Sequence, residues 1–293
     1  MKKIISIFVM VCCVFLVASC SDNGSTTSNT TAKEQKEVSI LYPSWAEGVA
    51  VTYLSKVVLE EKGYKVDLKR LEPGLIYASL SKGDADVYMD AWLPYTHKDY
   101  WDKYGAQLDV IGTIFENGTT GLVVPDYVNI DSIEQLNANK GQFNGKIYGI
   151  GSGSGIHTNT LAAIKTYQLD FQQVTSSETT MITALKKAIS KNEPIVITGW
   201  KPHFMWNDYK LKTLQDPKNV YPTDKIKIVA KKGFTQEQPE LVKFFGAFVL
   251  DESLLYELMG DVQADQNPEI GAKIFYEKHK SEIDNWLKSS SQQ

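Results

Sequence analysis

The sequence predicts an α/β protein of two lobes, in which each lobe is a mainly parallel sheet flanked by helices and two crossover segments join the lobes. Apolar strands alternate with amphipathic helices over 38–92, and the same alternation returns over 146–200. Such alternation is typical of parallel sheets covered by helices. Two more apolar segments, at 118–128 and 225–234, have no helix of their own, which suits crossovers between the lobes.

The first half has the pattern β-α-β-α-β. A strand at 38–42 ends at Pro43, because proline lacks an N–H for strand pairing. An amphipathic helix follows and ends near Gly63, since glycine tolerates the left-handed conformation of a helix C-terminus. A strand in YKVDLKRL, a short helix ending at Gly83 and the strand ADVYMDAW complete this half.

The second half repeats this plan. The strand KIYGI, the loop GSGSGI and a helix at 157–169 come first, and a helix at 179–189 and the strand PIVITGW follow. The sequence over 239–286 is amphipathic and predicts helix throughout. Two lobes joined by extended segments imply a cleft that opens and closes. The predicted lobes are 37–122 plus 226–293 and 123–225.

The first 36 residues differ from the rest of the chain. MKKIISIFVMVCCVFLVASC has two lysines, an apolar stretch and small residues before Cys20, which is typical of a signal peptide at 1–19. Its ending resembles the lipobox of bacterial lipoproteins, in which the cysteine is lipidated; an ordinary cleaved signal and an uncleaved anchor are the alternatives. Polar sequence at 20–36 predicts a flexible tether. The expected location is extracytoplasmic, attached to the membrane only through lipid (on the periplasmic side if the host has an outer membrane).

Composition disfavours several classes of function. With 43% apolar residues, 23% charged residues and a net charge of −4, the chain lacks the basic face that nucleic-acid binding favours. Its three cysteines, Cys12, Cys13 and Cys20, precede the folded part, so no disulfide, thiolate nucleophile or cysteine metal site is expected there. No later segment is predicted to cross a membrane, so a role in transport would need a separate permease. No metal and no cofactor are expected.

An enzyme is an alternative of a different class. Asp84, Asp86 and Asp90 together with His97 could suggest a hydrolase or a metal site. However, Asp86 and Asp90 lie on one predicted strand with apolar residues between them, which is not the pattern of a ligand cluster. We therefore expect no catalytic residues.

Three tryptophans stand where a predicted strand meets a loop: Trp45 in LYPSWAEG, Trp92 in AWLPYTH and Trp200 in GWKPHFM. Ligands of parallel α/β sheets gather at the carboxyl ends of strands. Each indole could instead fill the core, but three at equivalent positions in both halves favour one aromatic site. A quaternary ammonium suits such a site, because its positively charged methyl surface matches the indole face. The other tryptophans, which we expect to pack, are Trp101, Trp206 and Trp286.

The loop GSGSGIHTNT predicts a binding site for an anion. It joins a strand to a helix, and the N–H groups at a helix N-terminus attract negative charge. It lacks the lysine of a phosphate loop, so a carboxylate fits better than a nucleotide; a plain strand-to-helix turn is the alternative. His97 follows Trp92 closely and His203 follows Trp200 closely. Either histidine could donate to the carboxylate, and spacing does not choose between them.

These motifs resemble those of the glycine-betaine and proline-betaine binding proteins of bacterial ABC importers, the OpuAC/ProX-like family. The similarity runs through SILYPSWAEG, GDADVYMDAWLPYTH, GLVVPDYV, GIGSGSGI, EPIVITGWKPHFMW and LVKFFGAFVL. The combination of AWLPxTH, GSGI and GWxPH is specific. The resemblance implies a two-lobed periplasmic-binding-protein fold (type II-like) that closes on its ligand and delivers it to a permease driven by an ATPase. We expect the protein to act as a monomer.

The resemblance also assigns site residues. It implies a cage of Trp45, Trp92 and Trp200 around a trimethylammonium group. It implies that the carboxylate is held by the backbone amides of Gly155 and Ile156 and by the His97 side chain. His203 resembles a structural histidine of the motif and is a secondary candidate.

The choice of ligand stays open at this point. Phe204 and Trp206 depart from the family's usual pattern beside the cage, so the preferred betaine does not follow from the motif. The nearest rival is the same fold binding choline, which lacks a carboxylate, or carnitine, which is longer. A sensor that reports its ligand to a membrane receptor would use the same binding chemistry.

Overall fold

A computed structural model describes the backbone of residues 36–289 and the side chains of residues 36–285. The predicted signal peptide at 1–19, the three cysteines and the predicted tether up to residue 35 lie outside the described residues, and so does the Trp286 side chain. The described part of the chain forms nine strands and ten α-helices, with three short 3-10 helices between them.

The strands are β1 (Glu37–Tyr42), β2 (Lys65–Arg70), β3 (Val87–Leu93), β4 (Leu108–Pro125), β5 (Lys146–Gly149), β6 (Gln172–Thr175), β7 (Ile197–Lys201), β8 (Leu211–Thr213) and β9 (Asp224–Lys231). The helices are α1 (Ala46–Glu61), α2 (Pro73–Lys82), α3 (Lys98–Tyr104), α4 (Gly155–Thr166), α5 (Glu178–Ser190), α6 (Met205–Asp208), α7 (Phe234–Glu237), α8 (Pro239–Gly246), α9 (Glu252–Ala264) and α10 (Pro268–Ser289). The 3-10 helices are Gly105–Gln107, Ile133–Gln135 and Asn137–Phe143.

The strands are hydrogen-bonded in the order β2-β1-β3-β9-β4-β7-β5-β6, and β8 pairs with the end of β4. Pairing is parallel among β2, β1 and β3 and among β6, β5 and β7, whereas β4 and β9 are antiparallel to their neighbours. Strand β4 pairs with β9 as far as Gly118 and with β7 from Thr119 onward. We call β1, β2, β3, β9 and β4 up to Gly118 the first sheet, and the other strands with the rest of β4 the second sheet.

The predicted fold class is confirmed, because two groups of parallel strands flanked by helices are joined through β4 and β9. Both segments predicted as crossovers contain strand. Strand β4 begins earlier than predicted. Polar residues such as Glu116 and Asn117 interrupt its apolar pattern, so the sequence did not reveal the first part of the strand. The lobe boundaries at 122/123 and 225/226 remain a prediction; the change of pairing partner on β4 lies at 118/119.

The C-terminal region is not one continuous helix, and here the prediction was wrong. It forms α8, α9 and α10, which are separated at 247–251 and 265–267. The Asp251 side chain accepts a hydrogen bond of 2.8 Å from the N–H of Leu254 and so begins α9, while Pro268 begins α10. Within residues 36–289, no helix combines the length and apolarity needed to span a bilayer.

The carboxyl ends of β1, β3, β5 and β7 position the site. Helix α1 begins shortly after β1, and α4 begins shortly after β5. Strands β3 and β7 are each followed by a cis proline, Pro94 and Pro202. Since the ends of parallel strands meet at one edge of a sheet, the loops after β1 and β3 lie together, and so do the loops after β5 and β7. The predictions that Gly63 and Gly83 end their helices are confirmed, because both adopt positive φ angles, 82° and 77°.

Candidate ligand-binding site

A cavity of about 270 Å³ lies where these strand ends meet. This volume includes space that is open to solvent, so the enclosed part is smaller and suits a small ligand. The cavity brings together all six residues that the sequence assigned to ligand binding, although their contact with a ligand stays a prediction. The lining residues are Trp45, Glu47, Trp92, Thr96, His97, Thr120, Ile150, Ser154, Gly155, Ile156 and Trp200.

Two of the three indoles are held in the wall by buried carboxyl groups. The Trp92 Nε1–H donates to Asp90 Oδ1 and the Trp200 Nε1–H donates to Glu47 Oε2, each over 2.8 Å. Both rings are buried and belong to the apolar core as well as to the cavity wall. Gly118 lets the backbone approach Trp92, because a Cβ there would lie 2.9 Å from Cζ3 of the ring. The protein's own hydrogen bonds and packing therefore fix the orientation of the two rings.

Trp45 is the more accessible member of the three. It is the residue before α1 and is only partly buried, and its ring centroid lies 5.9 Å from that of His97. The tryptophans predicted to pack behave differently. Trp101 and Trp206 lie against the apolar clusters outside the cavity, and the Trp206 Nε1–H donates to the Trp200 carbonyl over 2.7 Å. Trp206, where the sequence departs from the family pattern, thus supports the end of β7 from behind.

His97 presents one free hydrogen-bond donor to the cavity. Its Nδ1 accepts a hydrogen bond of 3.1 Å from the N–H of Trp92, so the proton of the neutral ring must reside on Nε2. Burial lowers the His97 pKa to about 3, which keeps the ring neutral at physiological pH. Within the described part of the chain, the buried Nε2 has no hydrogen-bond partner. A buried N–H of this kind calls for an acceptor from a ligand or water.

The secondary candidate, His203, has both ring nitrogens engaged by the protein. Its Nδ1 accepts a hydrogen bond of 3.0 Å from the N–H of Met205, and its Nε2 lies 3.1 Å from Glu178 Oε1. The buried ring stands edge-on to Trp200, with centroids 4.7 Å apart, and is not part of the cavity wall. His203 therefore supports Trp200, and its place as a secondary candidate for ligand binding stays a prediction.

The N-terminus of α4 forms another part of the wall. Ser154 caps this helix, and the N–H groups of Gly155 and Ile156 belong to the first turn, which has no acceptors within the helix. The backbone here lies very close to the turn after β3, since a Cβ on Gly155 would lie only 1.8 Å from the Thr96 carbonyl oxygen. Nearby, the Tyr100 hydroxyl donates to the Gly153 carbonyl over 2.8 Å. The predicted anion site thus contacts the turn that follows β3, a strand of the first sheet.

Sequence reasoning missed two buried acids, one in the cavity wall and one hydrogen-bonded to the Trp92 indole. Glu47 and Asp90 are 2% and 1% exposed. Burial raises the pKa of Glu47 well above its usual range, and the Asp90 and Glu178 carboxylates raise it further. Burial, followed by the effect of Glu178, likewise raises the pKa of Asp90. A charged residue inside the apolar strand VYMDAW was the one available signal, because such residues are rarely buried without a partner.

Two hydroxyl groups were missed as well. Thr96 Oγ1 and Thr120 Oγ1 line the cavity, are buried and have no hydrogen-bond partner among the described residues. Together with the His97 Nε2–H and the amides of α4, they provide donors for an anionic group. The indoles and the two acids provide an environment for a positive one. The cavity wall therefore has the chemistry to bind a small zwitterion.

The fold and the cavity define a class, the two-lobed periplasmic binding proteins. In this class, loops from two sheets close around a small molecule. Residues 36–278 match the family described as the substrate binding domain of ABC-type glycine betaine transport systems, and the chain belongs to this family. Proteins of this family bind substrates for transport and are not enzymes.

Relatives and solved structures agree with this assignment. The glycine betaine/carnitine transport binding protein GbuC of Listeria monocytogenes is 36% identical over 149 residues, which is 50% of each chain. The match thus spans about half the length of that relative. Lactococcal OpuAC in its closed-liganded conformation with glycine betaine is 35% identical, with a TM-score of 0.82 over 86% of this chain and 100% of that one. A choline binding protein in complex with choline is 26% identical, with a TM-score of 0.80 over 86% of this chain and 92% of that one.

Proposed function

We propose that this chain is the substrate-binding component of an ABC importer and that it captures glycine betaine or proline betaine for osmoprotectant uptake. The observation that carries the proposal is the single cavity in which three indoles and an unpartnered, buried histidine N–H meet. Ligand would draw the two sides of the cavity together, and the closed form would deliver it to a permease driven by an ATPase. The family match and the betaine-bound relative support this role.

Trp45, Trp92 and Trp200 would surround the quaternary ammonium. Each cation–π contact contributes roughly 0.5 to 2 kcal/mol. Three contacts together would supply about 2 to 6 kcal/mol of the roughly 8 kcal/mol that micromolar binding requires. The rest of the binding energy must come from the other end of the ligand.

The ligand's carboxylate would accept hydrogen bonds from the His97 Nε2–H and from the amides of Gly155 and Ile156. All three donors belong to the cavity wall, and the positive end of α4 adds favourable electrostatics. Choline is the second candidate, because a choline-binding structure is among the similar folds. Choline has no carboxylate and would leave these donors unpaired, which costs affinity.

Isothermal titration calorimetry with glycine betaine, proline betaine, carnitine and choline would test the proposal. We expect glycine betaine or proline betaine to bind most tightly. Carnitine, which GbuC is named for, carries both charges but is longer than the small cavity favours. Tighter binding of choline than of either betaine would overturn the assignment of the carboxylate site, and absence of binding by all four would overturn the proposed function.

Replacing His97 with alanine should weaken glycine betaine about tenfold or more and should weaken choline much less, because only the betaine carboxylate uses the Nε2–H. Calorimetry with both ligands measures this difference. Choline serves as the internal control for misfolding, and His279→Ala, in α10 beside Glu257, is the matched variant outside the cavity. Equal losses for both ligands would show that His97 does not bind the carboxylate.

We further propose that the chain is a monomer held outside the cytoplasm by lipid on Cys20, after removal of residues 1–19. Labelling cells with a palmitate analogue should tag the wild-type protein and leave Cys20→Ser untagged and released from the membrane. An untagged wild-type protein would contradict the lipid anchor and leave the ligand assignment unaffected.

A further inference from the structure

Glu47, in the cavity wall, and Asp90, buried and hydrogen-bonded to the Trp92 indole, form an acidic pair that has no basic partner among the described side chains. Glu47 lies in the first turn of α1 and Asp90 lies in β3. A Cβ added to Gly48 would lie 2.7 Å from Asp90 Oδ2, so Asp90 packs directly beneath the turn that carries Glu47. Each acid receives one indole N–H, and Asp90 Oδ2 is buried without a hydrogen-bond partner.

The groups around this pair add no compensating side-chain cation. From α5, Glu178 contributes a third acid, whose Oε2 accepts the Ala46 N–H over 3.2 Å and whose Oε1 lies beside the His203 imidazole. His97, after β3, is neutral, because burial lowers its pKa to about 3. The buried hydroxyls of Tyr77 and Tyr88 stay protonated, since burial raises their pKa values. Among the described residues next to the pair, the N-terminal dipole of α1 offers positive charge.

Two adjacent buried carboxyl groups cannot both ionise cheaply without a counter-charge. We propose that Glu47 and Asp90 share one proton in the empty cavity and that the ligand's quaternary ammonium displaces this proton to the solvent. Binding of a cation is therefore linked to release of up to one proton. The inference rests on the proposed function, since it takes the ligand to be a quaternary ammonium compound.

This proton makes Glu47 a specificity-determining residue. A molecule of the same shape without positive charge gains nothing from the ionised pair and leaves the proton in place. The sign of the pH dependence follows from linkage: the cation lowers the raised pKa of the pair, so affinity increases as pH rises and levels off above the pKa of the empty site. The acidic pair that binds the indole N–H groups thus makes the site prefer a cation over an uncharged group of the same shape.

Calorimetry of glycine betaine in two buffers with different heats of ionisation, at about pH 6, measures the protons released. The matched probe is tert-butylacetate, which replaces the ammonium nitrogen with carbon and keeps the carboxylate. We expect glycine betaine to release a measurable fraction of one proton, and its Kd to fall by up to tenfold for each pH unit over which the pair titrates. We expect tert-butylacetate to release none.

Glu47→Gln keeps an acceptor for the Trp200 N–H and removes the charge. In this variant, proton release should fall by at least half and the preference for glycine betaine over tert-butylacetate should fall about tenfold, whereas Glu193→Gln, on the exposed surface, should behave as the wild type. Asp90→Asn, which keeps the acceptor for Trp92, should reproduce the loss if Glu47→Gln does not fold. Wild-type binding of betaine with equal heats in both buffers would overturn the inference. Failure of the wild type to bind betaine would instead overturn the proposed function.

Discussion

Replacing Trp200 with alanine should lower the affinity for glycine betaine at least tenfold, and replacing Trp92 should do the same. Each change removes one cation–π face, which is worth up to about 2 kcal/mol in a desolvated site. Each also leaves a buried carboxyl group, Glu47 or Asp90, without its indole N–H donor. Calorimetry, or quenching of the remaining tryptophan fluorescence, measures the loss.

Matched variants separate the ring face from the N–H group. Trp200→Phe keeps an aromatic face and loses the donor to Glu47, so its affinity should fall between those of the wild type and Trp200→Ala. Trp101→Phe changes a tryptophan that packs outside the cavity and should leave the affinity unchanged. If Trp92→Ala and Trp200→Ala both bind glycine betaine as the wild type does, the two rings belong to the core alone and the cage is wrong.

The positions of the tryptophans were predictable because a local pattern determines them. An apolar run followed by tryptophan and, two residues later, proline marks a buried strand that must end, and in a parallel sheet the strand ends share one edge. That rule needs no knowledge of distant contacts. The rule places Trp92 and Trp200 each at a strand end of its own sheet, and the tertiary structure brings both to one cavity.

The choice between His97 and His203 could not be made from spacing. Each histidine follows a tryptophan and a proline, and each accepts a backbone N–H at Nδ1. What distinguishes them is the partner of Nε2, which is Glu178 for His203 and absent among the described residues for His97. That partner comes from α5, so only the tertiary structure supplies it.

The acids and the C-terminal helix breaks show two other limits. Glu47 resembles an ordinary first-turn acid of a helix, and nothing local indicates that Asp90 lies against the same turn. The break at 247–251 follows an apolar stretch that continues the helical pattern, so periodicity does not reveal it. Asp251, a good N-cap residue, indicates that a new helix begins there, but the prediction followed the helical periodicity instead.

Replacing Gly155 with alanine should reduce glycine betaine binding at least a hundredfold, the largest loss that we expect from any single methyl group. The added Cβ would lie 1.8 Å from the Thr96 carbonyl oxygen. The carbonyl oxygen belongs to the backbone and the Cβ is attached directly to it, so neither atom can rotate away. Relief requires α4 to move away from the turn after β3, which displaces the amides of the predicted carboxylate site and breaks the bond from Tyr100 to Gly153.

The same loop provides the control. A Cβ on Gly151 would meet only Glu72 Oε2, at 4.0 Å, so Gly151→Ala should bind within about twofold of the wild type. Because Gly155 lies on the cavity wall, Gly155→Ala should lose most of the stabilisation that ligand gives, which is measured as the rise in melting temperature on adding betaine. Betaine affinity in Gly155→Ala equal to that of Gly151→Ala would mean that the contact between α4 and Thr96 is not part of the ligand-bound state, and that the carboxylate is held elsewhere.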